Sequence, residues 1–377
     1  MRRYPAVFMR GGTSKALIFH TADLPNDRSE WNRIFLTAMG SPDPSGRQLD
    51  GMGGGISSLS KVCVIGPPTH PGADVDYTFA QVQVTSAAVD YGGNCGNMSS
   101  AVGPFAVDEG LVSPPDGETV VRIHNTNTGK IIHSTFQVRD GMAVIEGDYS
   151  IDGVAGTSAP VRLDFVDPGG AATGRLLPTG RVVDTLDVPD SPPLRVSMVD
   201  AANPCVFVDA GAVGLEGTEL PEQIESSPHQ LQRLESIRQA ASVAMGLAPT
   251  TDAAAHNRLV PFIAVVAPGA PYSTLSGRRV AADDVDLLVR FLSSGRPHRA
   301  VPVTGAMCSA IASRVPGTVV HAVARTSRPS IRLGTPSGIL EVNASVSLSE
   351  REAQPYRAEY ASTYRTARRL FEGRVLA

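Results

Sequence analysis

Residues 91–110 read YGGNCGNMSSAVGPFAVDEG, and the fold turns on how they are placed. Gly92 and Gly93 permit an unusual backbone turn, and Cys95 falls where a helix begins. Ala101, Val102, Phe105 and Ala106 form an apolar stripe that predicts a helix over about 95–109, kinked at Gly103 and Pro104. A helix start favours a thiolate, and its first-turn amides can bind a carboxylate oxygen. One feature therefore offers a reactive sulfur and an anion seat together. A buried structural cysteine with Asn94 or Asn97 as an ordinary cap fits the same spacing.

Short β-prone runs surround this helix: KVCVIG (61–66), YTFAQVQVTSAAV (77–89), TVVRIHN (119–125), KIIHSTFQV (130–138) and MAVIEG (142–147), punctuated by turn residues. They read as antiparallel sheet. The Gly-, Pro- and Asp-rich stretch 167–193 is the candidate boundary, giving domains over 1–180 and 181–377. The second half repeats the theme with a strand-like run at 194–210, a helix near 228–246, a strand at 260–267, a helix at about 282–294, and another helix opening after VPVTGAM. In the tail, Tyr360, Tyr364, Ala367 and Phe371 lie at helical spacing. This predicts a closing helix at about 355–377 that packs back on the first domain, with Arg357, Arg365, Arg368 and Arg369 largely on a solvated face.

The chain has 377 residues, 42% of them apolar, and a formal charge of −4. That balance suits a globular protein with room for two domains or one large one and gives no electrostatic case for nucleic acid or an acidic membrane surface. Arg10, Gly11, Gly12 and Lys15 break the N-terminal apolar run before a signal core can form, so a cytoplasmic setting is expected. The four cysteines show neither a metal-ligand pattern nor a disulfide framework. No metal and no cofactor are expected, and nucleotide and hydrolase motifs are missing.

In DGMGGGISSLSKVCVIG (50–66), three glycines let backbone approach a ligand, and Ser60 and Lys61 then open an apolar strand. A desolvated lysine loses charge and can act as a base; alternatively Lys61 snorkels to solvent. Cys63 reads as core filler. MRGGTSKA places Arg10, Thr13, Ser14 and Lys15 around a glycine pair, a donor set for carboxylate that is equally a hairpin turn. Asn125 and Asn127 in RIHNTNTGK, His298, and Ser337 and Gly338 in TPSG read as turn residues or ligand contacts.

MRGGTSK, GGGISSLSKV, NCGNMSSAVGPFA, RIHNTNTGK, HRAVPVTGAMCSAIASRVPGT and TPSG occur in that order along nearly the whole chain. Together they resemble the PrpF family of methylaconitate, oxalomesaconate and methylitaconate isomerases. The resemblance implies an α+β, diaminopimelate epimerase-like fold: two similar domains, each a curled, mostly antiparallel sheet around a central helix, with the site in the cleft between them. It also implies Lys61 and Cys95 as the proton-moving pair. The substrate's carboxylates are expected on the first-turn amides around Gly96 and Asn97, on the turn donors near Thr13 and Ser14, and on the helix start at Thr304 and Gly305, with Ser60 and Asn94 as further candidate contacts. The second cysteine of the epimerases would fall at Pro302, which disfavours a two-thiol mechanism, and Cys308 reads as packing. The expected partner is a small anionic unsaturated carboxylate; homodimer and homotetramer both stay open. Two rivals remain: a thiol hydrolase pairing Cys95 with His124, His133 or His298, and a carboxylate binder without turnover.

Overall fold

The computed structural model describes residues 2–189, 192–349 and 354–377. The chain divides into two compact units, Met1–Asp164 with Tyr364–Ala377, and Phe165–Thr363. The break lies at 164/165, earlier than the Gly/Pro-rich stretch suggested, because that stretch is folded into the second unit.

In the first unit, β1 (Arg3–Gly11) and β2 (Ser14–His20) form an antiparallel hairpin. β2 pairs parallel with β3 (Lys61–Gly66), β3 antiparallel with β4 (Val75–Val82), β4 parallel with β5 (Gly117–Asn125), and β5 antiparallel with β6 (Lys130–Arg139). Period-2 alternation then sorts the side chains between two faces. Leu17, Phe19, Val62, Val64, Ala80 and Val82 meet Trp31, Ile34, Phe35 and Met39 of α1 (Trp31–Met39). Cys63, Ile65, Tyr77 and Phe79 point the other way. Toward that inner face lies α2 (Gly96–Asp108), buried continuously from Gly96 to Val107; its buried Ser99 and Ser100 hydroxyls are satisfied by the carbonyls of Cys95 and Asn97. Gly103 lets α2 meet β6: a Cβ there would lie 2.6 Å from Ser134 Oγ and 2.7 Å from the Phe136 ring.

The second unit repeats this plan. β7 (Leu194–Ala201) pairs antiparallel with β8 (Asn203–Asp209), β8 parallel with β9 (Phe262–Pro268), and β9 antiparallel with β10 (Leu287–Ser293). β10 runs parallel to β11 (Ser330–Thr335), which pairs antiparallel with β12 (Gly338–Leu348). α3 (Pro228–Ala244) falls between β8 and β9, as α1 does between β2 and β3, and covers one face through Leu234, Ile237 and Ala241. The central helix α4 (Val303–Ser313), buried throughout, falls between β10 and β11 as α2 does between β4 and β5. Two expected helices are strands. Residues 282–294 contain β10, whose seven residues are all buried, so the alternation that marks a strand is lost. The tail forms β13 (Tyr356–Arg365) and β14 (Ala367–Leu376), and β14 pairs with β1 from Arg3↔Leu376 to Gly11↔Ala367. Arg365, assigned above to a solvated face, is buried.

Candidate active site

Register places Lys61 opposite Gln81 on the inner face of the first sheet. Lys61 is 7% exposed, its Nζ donates to Gln81 Oε1 at 2.5 Å, and it lies 4.9 Å from the centre of the Phe79 ring. The amide of Gln81 is fixed from behind: Nε2 donates to Ser60 O at 2.8 Å and Ser57 O at 3.1 Å, which turns its oxygen toward Nζ. Burial lowers the pKa of Lys61; Cys95 and then Cys63 act electrostatically in the opposite direction. A neutral amide, not a carboxylate, faces the amine, so nothing at this contact forces it to stay charged.

Cys95 is the N-cap of α2, 9% exposed, on extended backbone. Its carbonyl accepts from Ser99 N at 3.0 Å, Ser99 Oγ at 3.2 Å and Tyr77 Oη at 3.4 Å. The Cys63 thiol donates to Tyr77 Oη at 3.9 Å. Burial pushes both Cys63 and Tyr77 up, so each keeps its proton and neither serves as a base. The first turn of α2, with Gly96 and Asn97, carries the amides that lack intrahelical acceptors. Asn97 ties it to the β1–β2 turn: Nδ2 donates to Thr13 Oγ1 at 3.2 Å and Oδ1 accepts from Thr13 N at 3.3 Å. Gly12 adopts φ +50° there, and a Cβ would lie 2.1 Å from Asn97 Oδ1.

Not every expected contact is turned the same way. Ser14 shares the inner face, whereas Arg10 and Lys15 are register partners on the α1 face, Lys15 lying 5.6 Å over the Phe8 ring. Alternation therefore removes the Lys15 ammonium from the Cys95 side of the sheet. Arg10 Nη1 instead donates to Gly12 O at 3.1 Å and to Thr366 O at 2.9 Å, bracing the turn. Ser60 Oγ accepts from Gln48 at 2.6 Å and donates to Val82 O at 3.0 Å, a structural link beneath Lys61. Asn94 is buried and accepts from Asn125 at 3.4 Å. Asn127 exchanges hydrogen bonds of 2.8 Å with the backbone of Phe79 and donates to Tyr91 O, and Asn125 Oδ1 accepts from Thr128, so both amides hold the loop to β4.

In the second unit Thr304 Oγ1 accepts from Asn203 at 3.0 Å, and Gly305 lies against the Phe291 ring. His298 N donates to Phe291 O, and Ser337 Oγ donates to Arg299 O at 2.7 Å, which draws the Ser337–Gly338 turn toward the His298 segment. The N-cap of α4 is Pro302, the topological counterpart of Cys95, and β9 opens on Phe262 where β3 opens on Lys61. Cys308 is buried, its thiol on Val199 O at 3.3 Å. Among the described residues no cluster of His, Cys, Asp or Glu could hold a metal ion. His124 pairs with Asp76 at 2.8 Å, and alternation turns both it and His133 away from the α2 face, which leaves Cys95 without either as a base. Gln81 escaped the sequence reading because its contact depends on the β3–β4 register.

The architecture is that of the epimerase-like isomerases. A hydroxyproline epimerase from Agrobacterium vitis shares the fold with a TM-score of 0.57 at 12% identity, over 99% of this chain and 92% of that chain. A solved methylitaconate Δ-isomerase superposes with a TM-score of 0.79 at 44% identity, over 99% of this chain and 95% of its own. In sequence, a 3-methylitaconate isomerase of Eubacterium barkeri is 44% identical over 99% of this chain and 97% of its own length. A 2-methyl-aconitate isomerase of Cupriavidus necator is 40% identical over 99% and 96%. The PrpF protein family matches residues 1–377. The chain belongs to the PrpF family, and it is an isomerase.

Proposed function

We propose that this isomerase moves a proton on a small unsaturated di- or tricarboxylate, with Lys61 as the base and Cys95 as its partner. The observation that carries the reading is a buried lysine, disfavoured as a cation and faced by a neutral amide, on the sheet face that meets the thiol-capped α2. Neutral Lys61 takes the acidic proton from the carbon next to the alkene. The electron pair spreads into the adjoining carboxylate, where the first-turn amides of Gly96 and Asn97 stabilise it. Cys95, or the protonated lysine, then returns a proton to a different carbon and the double bond moves. Rotation before that return gives the geometric isomer; the allylic shift needs fewer steps and is the favoured route. Thr13 and Ser14 complete this seat, and Thr304, Gly305, His298 and the Ser337–Gly338 turn form a candidate anion seat in the second unit. Four unpaired cysteines suit a cytoplasmic setting.

The test is proton NMR in deuterated water with 3-methylitaconate, 2-methylaconitate and 4-oxalomesaconate, following alkene migration and deuterium uptake. Lys61→Met should abolish both, and retained turnover in that variant would refute the assignment. Cys95→Ser should lower turnover by about 100-fold or more.

A further inference from the structure

Arg365 ends β13 within the first unit and is 6% exposed. Its guanidinium makes one hydrogen bond, Nη1 to Tyr364 O at 2.9 Å, while Nε is buried with no acceptor. No carboxylate pairs with it among the described residues. A buried cation left in this condition is costly, and proteins normally supply such a group with an anion. Burial lowers its pKa to about 10, which still leaves it a cation at neutral pH. Its surroundings indicate what the anion would be. Gly12 N donates to Thr366 O at 2.9 Å, so the Arg365–Thr366 segment lies against the Gly11–Thr13 turn. Arg365 Cδ is 3.0 Å from where a Gly12 Cβ would stand, and Asn97 at the α2 start borders the same point.

We propose that Arg365 is a carboxylate-binding residue, its planar fork completing the seat built by the Thr13 turn and the first turn of α2. The inference rests on the reading of that seat given above and adds its principal charge. Arg10 is turned to the α1 face and Lys15 to the Phe8 ring, so Arg365 is the buried cation that remains beside the turn. A guanidinium gives a carboxylate two parallel hydrogen bonds, which an amide pair or an ammonium cannot reproduce.

The experiment uses tricarballylate, a saturated tricarboxylate that cannot react, with calorimetry and thermal unfolding on the whole chain. Wild-type protein should bind it and gain thermal stability. Arg365→Met should weaken binding at least about tenfold, the loss of one charge-assisted contact. Arg365→Lys, which keeps the charge without the fork, should fall between the two and carries the test should the methionine variant not fold. Wild-type affinity in both variants, or no wild-type binding at all, overturns the proposal. Arg365→Lys should raise KM more than it lowers kcat, whereas Lys61→Met removes kcat, so loss of the anion seat and loss of the proton-transfer assignment give different results.

Discussion

Gly103→Ala tests whether α2 is held at its observed distance from β6. In an exposed helix that change stabilises by about 1 kcal/mol, because alanine loses less backbone freedom. Here the new methyl would stand 2.6 Å from Ser134 Oγ and 2.7 Å from the Phe136 ring. The serine hydroxyl can rotate; the ring is 3% exposed and cannot move without displacing its neighbours. Overpacking of this kind costs about 1–3 kcal/mol, and two contacts this short put it at or above the upper end. After the helix gain is subtracted, about 2 kcal/mol of destabilisation remains, a fall in Tm of about 4–8 °C for a unit of this size. Differential scanning calorimetry reads the shift, and Gly103→Ala with Phe136→Leu should recover part of it. A single variant as stable as the wild type would refute the packing argument.

Gln81→Glu sets a carboxylate against Lys61 and raises its pKa, so the acidic limb of the activity profile should move to higher pH by about 1–3 units with recovery in alkali; an unmoved limb would show that Gln81 does not tune the amine. Gly12→Ala combines a left-handed φ with a collision against Asn97 and should cost about 2 kcal/mol or more in urea unfolding; wild-type stability would count against the turn geometry. Burial alone would raise the Asp286 carboxyl, but hydrogen bonds and charge from Arg332, whose Nη2 lies at 2.7 Å, hold it below 3.8. A depressed carboxyl contributes stability above its unfolded pKa and loses it as pH falls through the folded value. Asp286→Asn should therefore cost about 3 kcal/mol at pH 7, a gap that narrows progressively as pH is lowered below 3.8, measured by denaturant melts; a gap that does not narrow on acidification would remove the ion pair as the cause.

The parts of the fold legible in the sequence were those written in local chemistry. The glycine pair before Cys95 and the stripe behind it located α2 to within a residue or two, and Lys61 opens its strand as the apolar run indicated. β10 misled because LLVRFLS is buried on both sides and its apolar residues fit a helical spacing by coincidence. The tail misled differently. Tyr360, Tyr364 and Phe371 are each about two-fifths exposed, so their spacing marks no buried stripe, and what holds β14 is pairing with residues more than 350 positions away. Gln81 and Arg365 were illegible for the same reason: one depends on register, the other on where a distant strand ends.

The pairing of β1 with β14 also bears on how the molecule is made. Arg2 and Ala377 exchange backbone hydrogen bonds of 2.9 and 3.1 Å, so the first strand waits for a neighbour that lies more than 350 residues later in the chain. The second unit is continuous in sequence and can mature while the nascent first one still has an open edge. During synthesis the hairpin carrying Gly12 and Thr13 is therefore the segment most exposed to misassembly, and the one a chaperone would have most reason to cover.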